Sequence, residues 1–370
     1  MLVLALGATL SSVSLKHIGT DLGIGFALKG TLAPACLMTW AIATFVVGCA
    51  TDRRGKRRFL GGGLLILSFA LVGTARSSGY AGLLVGMMGI GAGMGCLEGT
   101  VSPLVAELHP ARVGMHMNVL HAFYPAGSVA ASLVVGGALD RGVHWRIPFA
   151  MTAVPATLVA AMFLVGRYPK PDSGPRPSPL RVREVLASRT FWLLAVAMAL
   201  TAGCEGSLAF WSPSFIQHEY GTSALVGAAG LTVFSAAMAV GRFGTGAAAK
   251  SVSLRRLMVT LAFLNVLVTL AVALADGIWL SMISLGAAGL LIACFWPSIL
   301  ALASSRIAEG SSTLFGMLAV AGMIGFGLTP WVIGMVAEYC SLRAGLCILP
   351  AAMLAAGFVL LKVAPAHPRG

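Results

Sequence analysis

Two glutamates are the residues of this chain best placed to do chemistry inside an apolar environment. Glu98 lies in the middle of GIGAGMGCLEGTVSPLVAEL and Glu205 in the middle of MALTAGCEGSLAFW. A charged side chain at the centre of a bilayer costs about 2.5–3.5 kcal/mol, so such residues usually face a cavity and serve a function. A carboxyl group withdrawn from water also binds a proton more readily, which is the property that a proton carrier needs. The alternative is a protonated glutamate that hydrogen-bonds between helices and only stabilises the fold.

Both glutamates have glycine neighbours in the sequence. Gly95 and Gly99 lie close to Glu98, and Gly203 and Gly206 lie close to Glu205. Glycine adds no side chain to the helix surface. We therefore expect these positions to thin the helix and to leave room beside each carboxyl group.

Composition predicts that the elements carrying these residues are membrane-spanning helices. The chain is 58% hydrophobic and 10% charged, with a mean hydropathy of +0.91, whereas a soluble domain carries about 25% charged residues. Windows of about 20 apolar residues predict an all-α membrane protein with twelve spans. The predicted spans are 1–17, 26–50, 59–76, 80–107, 117–139, 146–166, 191–217, 223–248, 256–274, 278–304, 311–337 and 343–363.

The distribution of basic residues predicts the orientation in the membrane. The net charge is +13, and most Lys and Arg residues lie in alternate loops that we assign to the cytoplasm. This bias is the positive-inside rule, so it gives no indication of a nucleic-acid partner. We expect a multi-pass protein of the inner (cytoplasmic) membrane with both termini in the cytoplasm, and its partners are lipid, protons and a small-molecule substrate.

The two halves of the chain repeat each other. Gly48 and Asp52 correspond to Gly246 and Lys250 at one constant offset, and Gly23 corresponds to Gly221. The segment 167–189, with five prolines, predicts a cytoplasmic linker that ends in a short surface helix. We therefore predict two pseudo-symmetric six-helix bundles, 1–166 and 190–370, with a substrate site near the midplane between them.

The same alignment predicts that the first helix is short. The start of the seventh span at Phe191 would correspond to a position before Met1. Either translation starts upstream or the first helix is truncated on its cytoplasmic side, and both readings stay open.

The segment Gly48–Arg58, GCATDRRGKRR, predicts a tight turn at the cytoplasmic surface. Its spacing resembles the signature loop between helices 2 and 3 of the major facilitator superfamily of transporters. The resemblance implies a latch that closes the cytoplasmic side, in which Asp52 meets the positive end of a helix in the other half. The gating residues would be Gly48, Asp52, Arg53, Gly55 and Arg57.

A narrower resemblance follows from the fourth and fifth spans. GAGMGCLEGTVSPLVAEL and MNVLHAFYPAGS are similar to the corresponding helices of the fucose permease family of sugar/proton symporters. This likeness implies that Glu98 is the family's essential membrane glutamate and that Asn118 lies near the sugar site. Those symporters also carry an aspartate in helix 1, but TLSSVSLK offers only serines, among them Ser11. Either the proton role falls to Glu98 or Glu205, or the coupling differs altogether from that of the family.

Several further residues are candidates for substrate binding. Asn118, His121 and Pro125 share one helix face because they recur at i, i+3 and i+7, and Tyr124 lies beside them. A membrane histidine can also simply bond a backbone carbonyl. The full set of predicted substrate-binding residues is Asn118, His121, Tyr124, Trp211, Trp296 and Ser11. The two tryptophans could stack on a cyclic solute or serve only in packing.

The function that these features predict is proton-coupled uptake of a small polar solute, such as a sugar, by a monomeric secondary transporter. A drug or metabolite exporter is the second reading, although Gly136 and Gly137 lack the Gly-Pro pair that antiporters carry before them. The chain holds few amide side chains, which leaves carboxylates and amphipathic solutes open. A non-transporting receptor or scaffold is a third reading.

No enzyme, cofactor or metal site is predicted. The seven cysteines are scattered without a CxxC pair, and the chain contains no phosphate-binding loop.

Overall fold

The computed structural model describes residues 1–54, 56–108, 113–166, 182–248, 253–307 and 312–363. Within these ranges the side chains of residues 48–49, 51–54, 102–103, 106–107, 113–119, 121–122, 182, 243–248, 304–305, 312–313 and 315 are outside the description. All regular structure in the described part of the chain is helical. The helices are α1 (Leu2–Leu22), α2 (Phe26–Gly30), α3 (Leu32–Arg54), α4 (Lys56–Ala75), α5 (Tyr80–Leu108), α6 (Val113–Asp140), α7 (Arg146–Val165), α8 (Val182–Ala187), α9 (Arg189–Glu219), α10 (Ala224–Ala248), α11 (Leu254–Leu274), α12 (Ile278–Ile292), α13 (Phe295–Arg306), α14 (Ser312–Tyr339), α15 (Leu342–Leu346) and α16 (Ile348–Leu361).

The prediction of twelve membrane helices is confirmed. Eleven candidate spans are found among the described residues by length and hydropathy. The twelfth is α6, which has 28 residues. The pairs α2–α3, α12–α13 and α15–α16 each form one interrupted span, and α8 is a six-residue helix too short to cross, so the sixteen helical segments of the described chain make twelve crossings.

The first helix extends further at its C-terminal end than the sequence predicted. We expected it to end at residue 17, but α1 continues to Leu22, where Gly23 adopts a left-handed conformation (φ 63°) and its N–H bonds to the carbonyl of Gly19. Gly221, the predicted counterpart, has φ 61° after α9. A glycine closes both helices because only glycine adopts this conformation without strain. With 21 residues, α1 is still shorter than α9, which has 31.

The predicted turn at Gly48–Arg58 is mostly helical in the structure. Helix α3 runs through Arg54 and α4 begins at Lys56, so the connection is reduced to Gly55, which lies outside the described residues. The helical part of this segment is longer than the predicted tight turn allows, because the charged residues continue the last turns of α3 after the apolar stretch has ended.

The chain divides into two compact units. The first comprises Met1–Gly174 with Phe210–Thr232, and the second comprises Pro175–Ala209 with Val233–Gly370. The chain therefore changes unit inside α9 and again inside α10. The predicted domain boundaries at 166 and 190 stay a prediction.

Glycines and hydroxyl groups hold the helices of the first unit together. A Cβ at Gly91 or Gly95 of α5 would overlap backbone atoms of Cys36 or Trp40 in α3, so these helices touch through their backbones. The hydroxyl of Thr39 donates to the carbonyl of Met88 at 2.7 Å across the same contact. Small residues allow this close packing where lipid gives no hydrophobic drive for association.

Helices of the second unit also pack closely at glycine and through hydrogen bonds to backbone carbonyls. A Cβ at Gly325 of α14 would overlap the carbonyl of Ala199 in the first part of α9. The guanidinium of Arg255, at the start of α11, donates to the carbonyl of Leu360 at the end of α16.

Many large apolar side chains are exposed on the outer faces of the helices. Examples are Phe45, Phe69, Val165 and Trp279, each more than two-thirds exposed. Exposed apolar surface on this scale is typical of helices that face lipid. The protein is a multi-pass integral membrane protein.

Candidate functional site

Glu98 lies within α5 with its side chain half-buried. Its carboxylate interacts electrostatically with the α-amino group of Met1 at the start of α1, and no ion pair to a basic side chain is found for it among the described residues. The expectation that glycine makes room beside this carboxyl was wrong at Gly95, because the backbone of α3 occupies the space that a side chain would fill. Gly95 therefore allows α5 to pack tightly against α3. Glu98 lies one helical turn further along the same helix.

Glu205 has a partner that the sequence did not assign. Its Oε1 lies 3.5 Å from Nη2 of Arg242, which α10 supplies. Glu205 lies inside one candidate membrane span and Arg242 is the last residue of another, so the second unit contains an ion pair between two membrane helices. A basic residue in the span that follows an acidic one was the available signal, because opposite charges in a membrane usually pair.

The glycines beside Glu205 also serve packing. A Cβ at Gly203 would overlap the side chain of Thr329, and one at Gly206 would overlap the ring of Phe326, both in α14. The expectation of open space beside this carboxyl was therefore wrong for both glycines. They allow α14 to lie directly against α9.

The two predicted tryptophans differ in their surroundings. Trp211 is 0% exposed, and its ring packs 5.1 Å from Phe210 and 5.9 Å from Phe26, measured between ring centroids. Protein atoms enclose this ring in the structure, and a role of Trp211 in substrate binding stays a prediction. Trp296 is half-buried, with Phe326 at 6.0 Å and the surface of Gly322 against its ring edge. Its role in substrate binding stays a prediction.

The remaining predicted binding residues lie in α1 and α6. Ser11 is buried, and its hydroxyl donates to the carbonyl of Ala8 at the long distance of 3.5 Å. Tyr124 is half-buried in α6. Asn118 and His121 lie in the same helix, but their side chains are outside the description. Their assignment to the site stays a prediction.

The predicted gating residues are only partly described. Gly48, Asp52 and Arg53 lie in the last turns of α3 with side chains outside the description, and Gly55 lies outside the described residues. Arg57 is exposed in the first turn of α4. The cytoplasmic latch stays a prediction.

A polar cavity of about 550 Å³ in the first unit was missed by the sequence analysis. It lies where the ends of α1, α6 and α9 meet the loop before α7. The lining residues are Lys16, His17, Thr20, Asp21, Leu139, Asp140, Gly142, Val143, His144, Trp145, Gln217, Thr222, Ser223 and Ala224. Most of these residues are polar, but they are scattered along the sequence. They come together only where the ends of three helices meet in the fold.

One side of this cavity is a clamp around Asp21. Its carboxylate forms an ion pair with Arg146 and accepts a hydrogen bond from the indole N–H of Trp145 at 3.1 Å. His144 lies 3.5 Å from the other carboxylate oxygen. Helix α1 thus contains an acid after all, because it runs five residues beyond its predicted end. The clamp ties α1 to the start of α7, so Asp21 is held by structural contacts.

The opposite side of the cavity is closed by contacts to the end of α9 and the start of α10. The Lys16 ammonium donates to the carbonyl of Gln217 at 3.1 Å, and Asp140 accepts from the N–H of Leu225 at 3.1 Å. The Nδ1 atom of His17 is buried without a hydrogen-bond partner among the described residues. These contacts connect helices of the first half of the sequence to residues 217–225.

No group of three or more His, Cys, Asp or Glu side chains that could hold a metal ion occurs among the residues that the structure describes.

Comparison with known proteins identifies a family. Residues 1–275 match the sequence model of the Major Facilitator Superfamily. A curated relative, the cis,cis-muconate transport protein of Acinetobacter baylyi, is 25% identical over 230 residues, which are 57% of this chain and 54% of that protein. The chain spans about half or less of the length of the curated relatives that it matches.

Solved structures match nearly the whole chain. A bacterial homologue of the human lysosomal transporter Spinster, in an inward-facing and occupied conformation, has a TM-score of 0.85 at 16% identity and covers 98% of this chain and 94% of its own. The fucose:proton symporter of Escherichia coli has a TM-score of 0.67 at 17% identity, with 99% and 97% covered. These likenesses confirm the predicted fold.

Proposed function

Because this chain belongs to the Major Facilitator Superfamily, we propose that it is a secondary active transporter that moves a small solute across the cytoplasmic membrane by alternating access. The observation that carries the proposal is the family match together with ionisable side chains, Glu98, Glu205 and Arg242, inside apolar spans. A static receptor or scaffold needs no charged groups there. The named relatives are transporters rather than enzymes, in agreement with the sequence prediction.

Proton coupling is the second part of the proposal, and we assign it to Glu98. Glu205 is engaged by the side chain of Arg242 in the second unit, whereas the one cationic group that the described residues set against Glu98 is the α-amino group of Met1. A carboxyl group that binds and releases a proton in step with the solute must be free to exchange its proton. The difference between the two environments therefore favours Glu98 as the coupling residue.

The solute is proposed to be a sugar or another small polar molecule. Tyr124 and Trp296 are half-buried and can contribute an aromatic face to a cyclic solute. Asn118, His121 and Ser11 complete the proposed binding residues. The relatives are named for cis,cis-muconate and for fucose, an organic acid and a sugar, and both are small hydrophilic molecules.

The orientation and the cytoplasmic gate complete the proposal. We propose that both termini lie in the cytoplasm, which the distribution of Lys and Arg favours, and that the cavity beside Asp21 then lies on the external side. The latch of Gly48, Asp52, Arg53, Gly55 and Arg57 would then close the cytoplasmic side. The functional unit is proposed to be a monomer.

Counterflow in proteoliposomes tests the proposal. Vesicles preloaded with one unlabelled solute from a panel of sugars and carboxylates are diluted into the same labelled solute. A transporter brings label in above the level of protein-free vesicles for at least one member of the panel. An absence of counterflow with every member would contradict the proposed function. Counterflow of amphiphilic drugs only would favour the exporter.

A further inference from the structure

We propose that the guanidinium of Arg242 is the binding site for a carboxylate group of the transported solute, and that Glu205 occupies this guanidinium while the site is empty. The inference rests on the proposed function, since the ligand is taken to be the solute. It narrows the solute class from small polar molecules to small organic anions, such as sugar acids or other carboxylates.

Among the described residues, the contacts of Arg242 use only part of its hydrogen-bonding capacity. An arginine carries five N–H donors. Here Nη2 contacts Oε1 of Glu205 at 3.5 Å and Sδ of Met238 at 3.8 Å. The Nε atom is buried and has no hydrogen-bond partner among the described residues. A buried donor without a hydrogen-bond partner costs free energy. A ligand that supplies one more acceptor to the guanidinium would therefore bind favourably.

The distance between Arg242 and Glu205 is longer than in a typical structural ion pair. Arginine and carboxylate groups usually meet through two parallel hydrogen bonds of about 2.7–2.9 Å. The contact between Arg242 and Glu205 is a single one at the upper limit of hydrogen-bond distance. An incoming carboxylate can therefore form the two-point contact that Glu205 does not form.

The guanidinium is accessible although it lies in a membrane span. The Arg242 side chain is 35% exposed and that of Glu205 is 12% exposed. Charged side chains at this depth face a water-filled space or the interior of the bundle because lipid contact is too costly. The exposed third of Arg242 is thus open to a water-soluble ligand, while Glu205 is mostly covered.

The surroundings supply no competing charge among the described residues. Arg242 is the one charged group among the described residues with which the Glu205 carboxylate interacts electrostatically. When one solute carboxylate replaces Glu205 on Arg242, the guanidinium keeps a counter-ion, and a neutral sugar cannot provide one.

The competing explanation is that the ion pair only ties α9 to α10. In that case removal of either partner should lower stability and leave ligand affinity unaffected. In the proposed site the two substitutions have opposite effects on anion affinity, because Arg242 binds the anion and Glu205 competes with it.

The experiment measures binding of matched anionic and neutral probes to the purified protein by isothermal titration. The probes are acetate, benzoate and cis,cis-muconate, with acetamide and benzamide as the neutral counterparts. We expect at least one anion to bind saturably and its amide not to bind. Arg242→Gln should weaken that binding by about thirtyfold or more, Arg242→Lys should weaken it less, and Glu205→Gln should tighten it by about fivefold.

Arg183→Gln is the matched control, since Arg183 is exposed on α8 and should bind the anion as the parent protein does. If Arg242→Gln does not fold, the opposite signs for Arg242→Lys and Glu205→Gln still decide the question. Failure of every anion to bind, or weaker binding in Glu205→Gln, would overturn the site. Counterflow of a neutral sugar without anion binding would overturn the site alone. Anion binding without counterflow would instead contradict the proposed function.

Discussion

The carboxylate of Asp140, the last residue of α6, accepts a hydrogen bond of 3.1 Å from the backbone N–H of Leu225, the second residue of α10. The first N–H groups of a helix have no partner within the helix and form the positive end of its dipole. Further along the same two helices, the hydroxyls of Ser132 and Thr232 lie 2.8 Å apart. Asp140 therefore holds the end of α6 against the start of α10, and a carrier that opens on this side must break the contact.

Asp140→Ala should shift the protein toward the state that is open on the side of Asp140. A carboxylate at a helix N-terminus contributes about 0.3–1 kcal/mol, and up to about 2 when partly buried. A loss of 1.4 kcal/mol changes the ratio of two states about tenfold. Spin labels at the exposed positions Arg141 and Ser223 would report the change as a longer distance. Asp276→Ala, at an exposed loop position, is the control. An unchanged distance distribution in Asp140→Ala would show that the contact does not gate opening.

Arg146→Ala should lower the stability of the first unit. Its guanidinium pairs with Asp21, donates to the carbonyl of Ser77 at 2.7 Å and lies 4.4 Å from the centre of the Trp145 ring. Hydrogen bonds to charged groups contribute about 1.5–3 kcal/mol when buried. Because a quarter of this side chain is exposed, we expect a loss of about 1 kcal/mol. Thermal unfolding in detergent, with the exposed Arg76→Ala as control, measures the difference. Equal melting temperatures for the two variants would mean that the clamp contributes nothing.

Gly325→Ala should destabilise the second unit, whereas Gly316→Ala in the same helix should not. A Cβ at Gly325 would overlap the backbone of Ala199, while nothing lies within 4 Å of one at Gly316. Overpacking of a tight contact costs about 1–3 kcal/mol. An alanine in an open helical position is instead stabilising by about 0.5–1 kcal/mol. The same unfolding assay compares them, and a Gly325→Ala protein as stable as Gly316→Ala would refute the close contact between α9 and α14.

Hydropathy and charge distribution were sufficient to predict the fold. Each of the twelve spans is a long apolar stretch, and apolar length decides the number of crossings. Helix ends were less predictable, because charged residues such as Asp21 or Arg54 continue a helix past the apolar window when nothing stops it. Gly23 was the signal for the end of α1, since a left-handed glycine closes the helix regardless of hydropathy.

The candidate site was only partly predictable. Glu98 and Glu205 could be identified from the sequence because each is a single acidic residue within a long apolar stretch. The pairing of Glu205 with Arg242 depends on the rotation of α9 relative to α10, and no local spacing encodes that rotation. The burial of Trp211 depends on Phe26, which is distant in sequence and close in space. A glycine such as Gly95 or Gly203 can either leave space beside a side chain or let another helix pack closely. The sequence does not distinguish these two roles, because they depend on the position of the neighbouring helix.

The most direct test of the central claim is solute accumulation in proteoliposomes under an imposed pH gradient, compared between the parent protein and Glu98→Gln. The solute is a member of the panel that shows counterflow. We predict that the parent protein concentrates this solute above its external level only while the gradient lasts, and that Glu98→Gln still exchanges the solute but no longer concentrates it. Undiminished gradient-driven accumulation by Glu98→Gln would contradict the assignment of proton coupling to Glu98. Uptake by the parent protein that stops at equal concentrations would contradict proton-coupled transport itself.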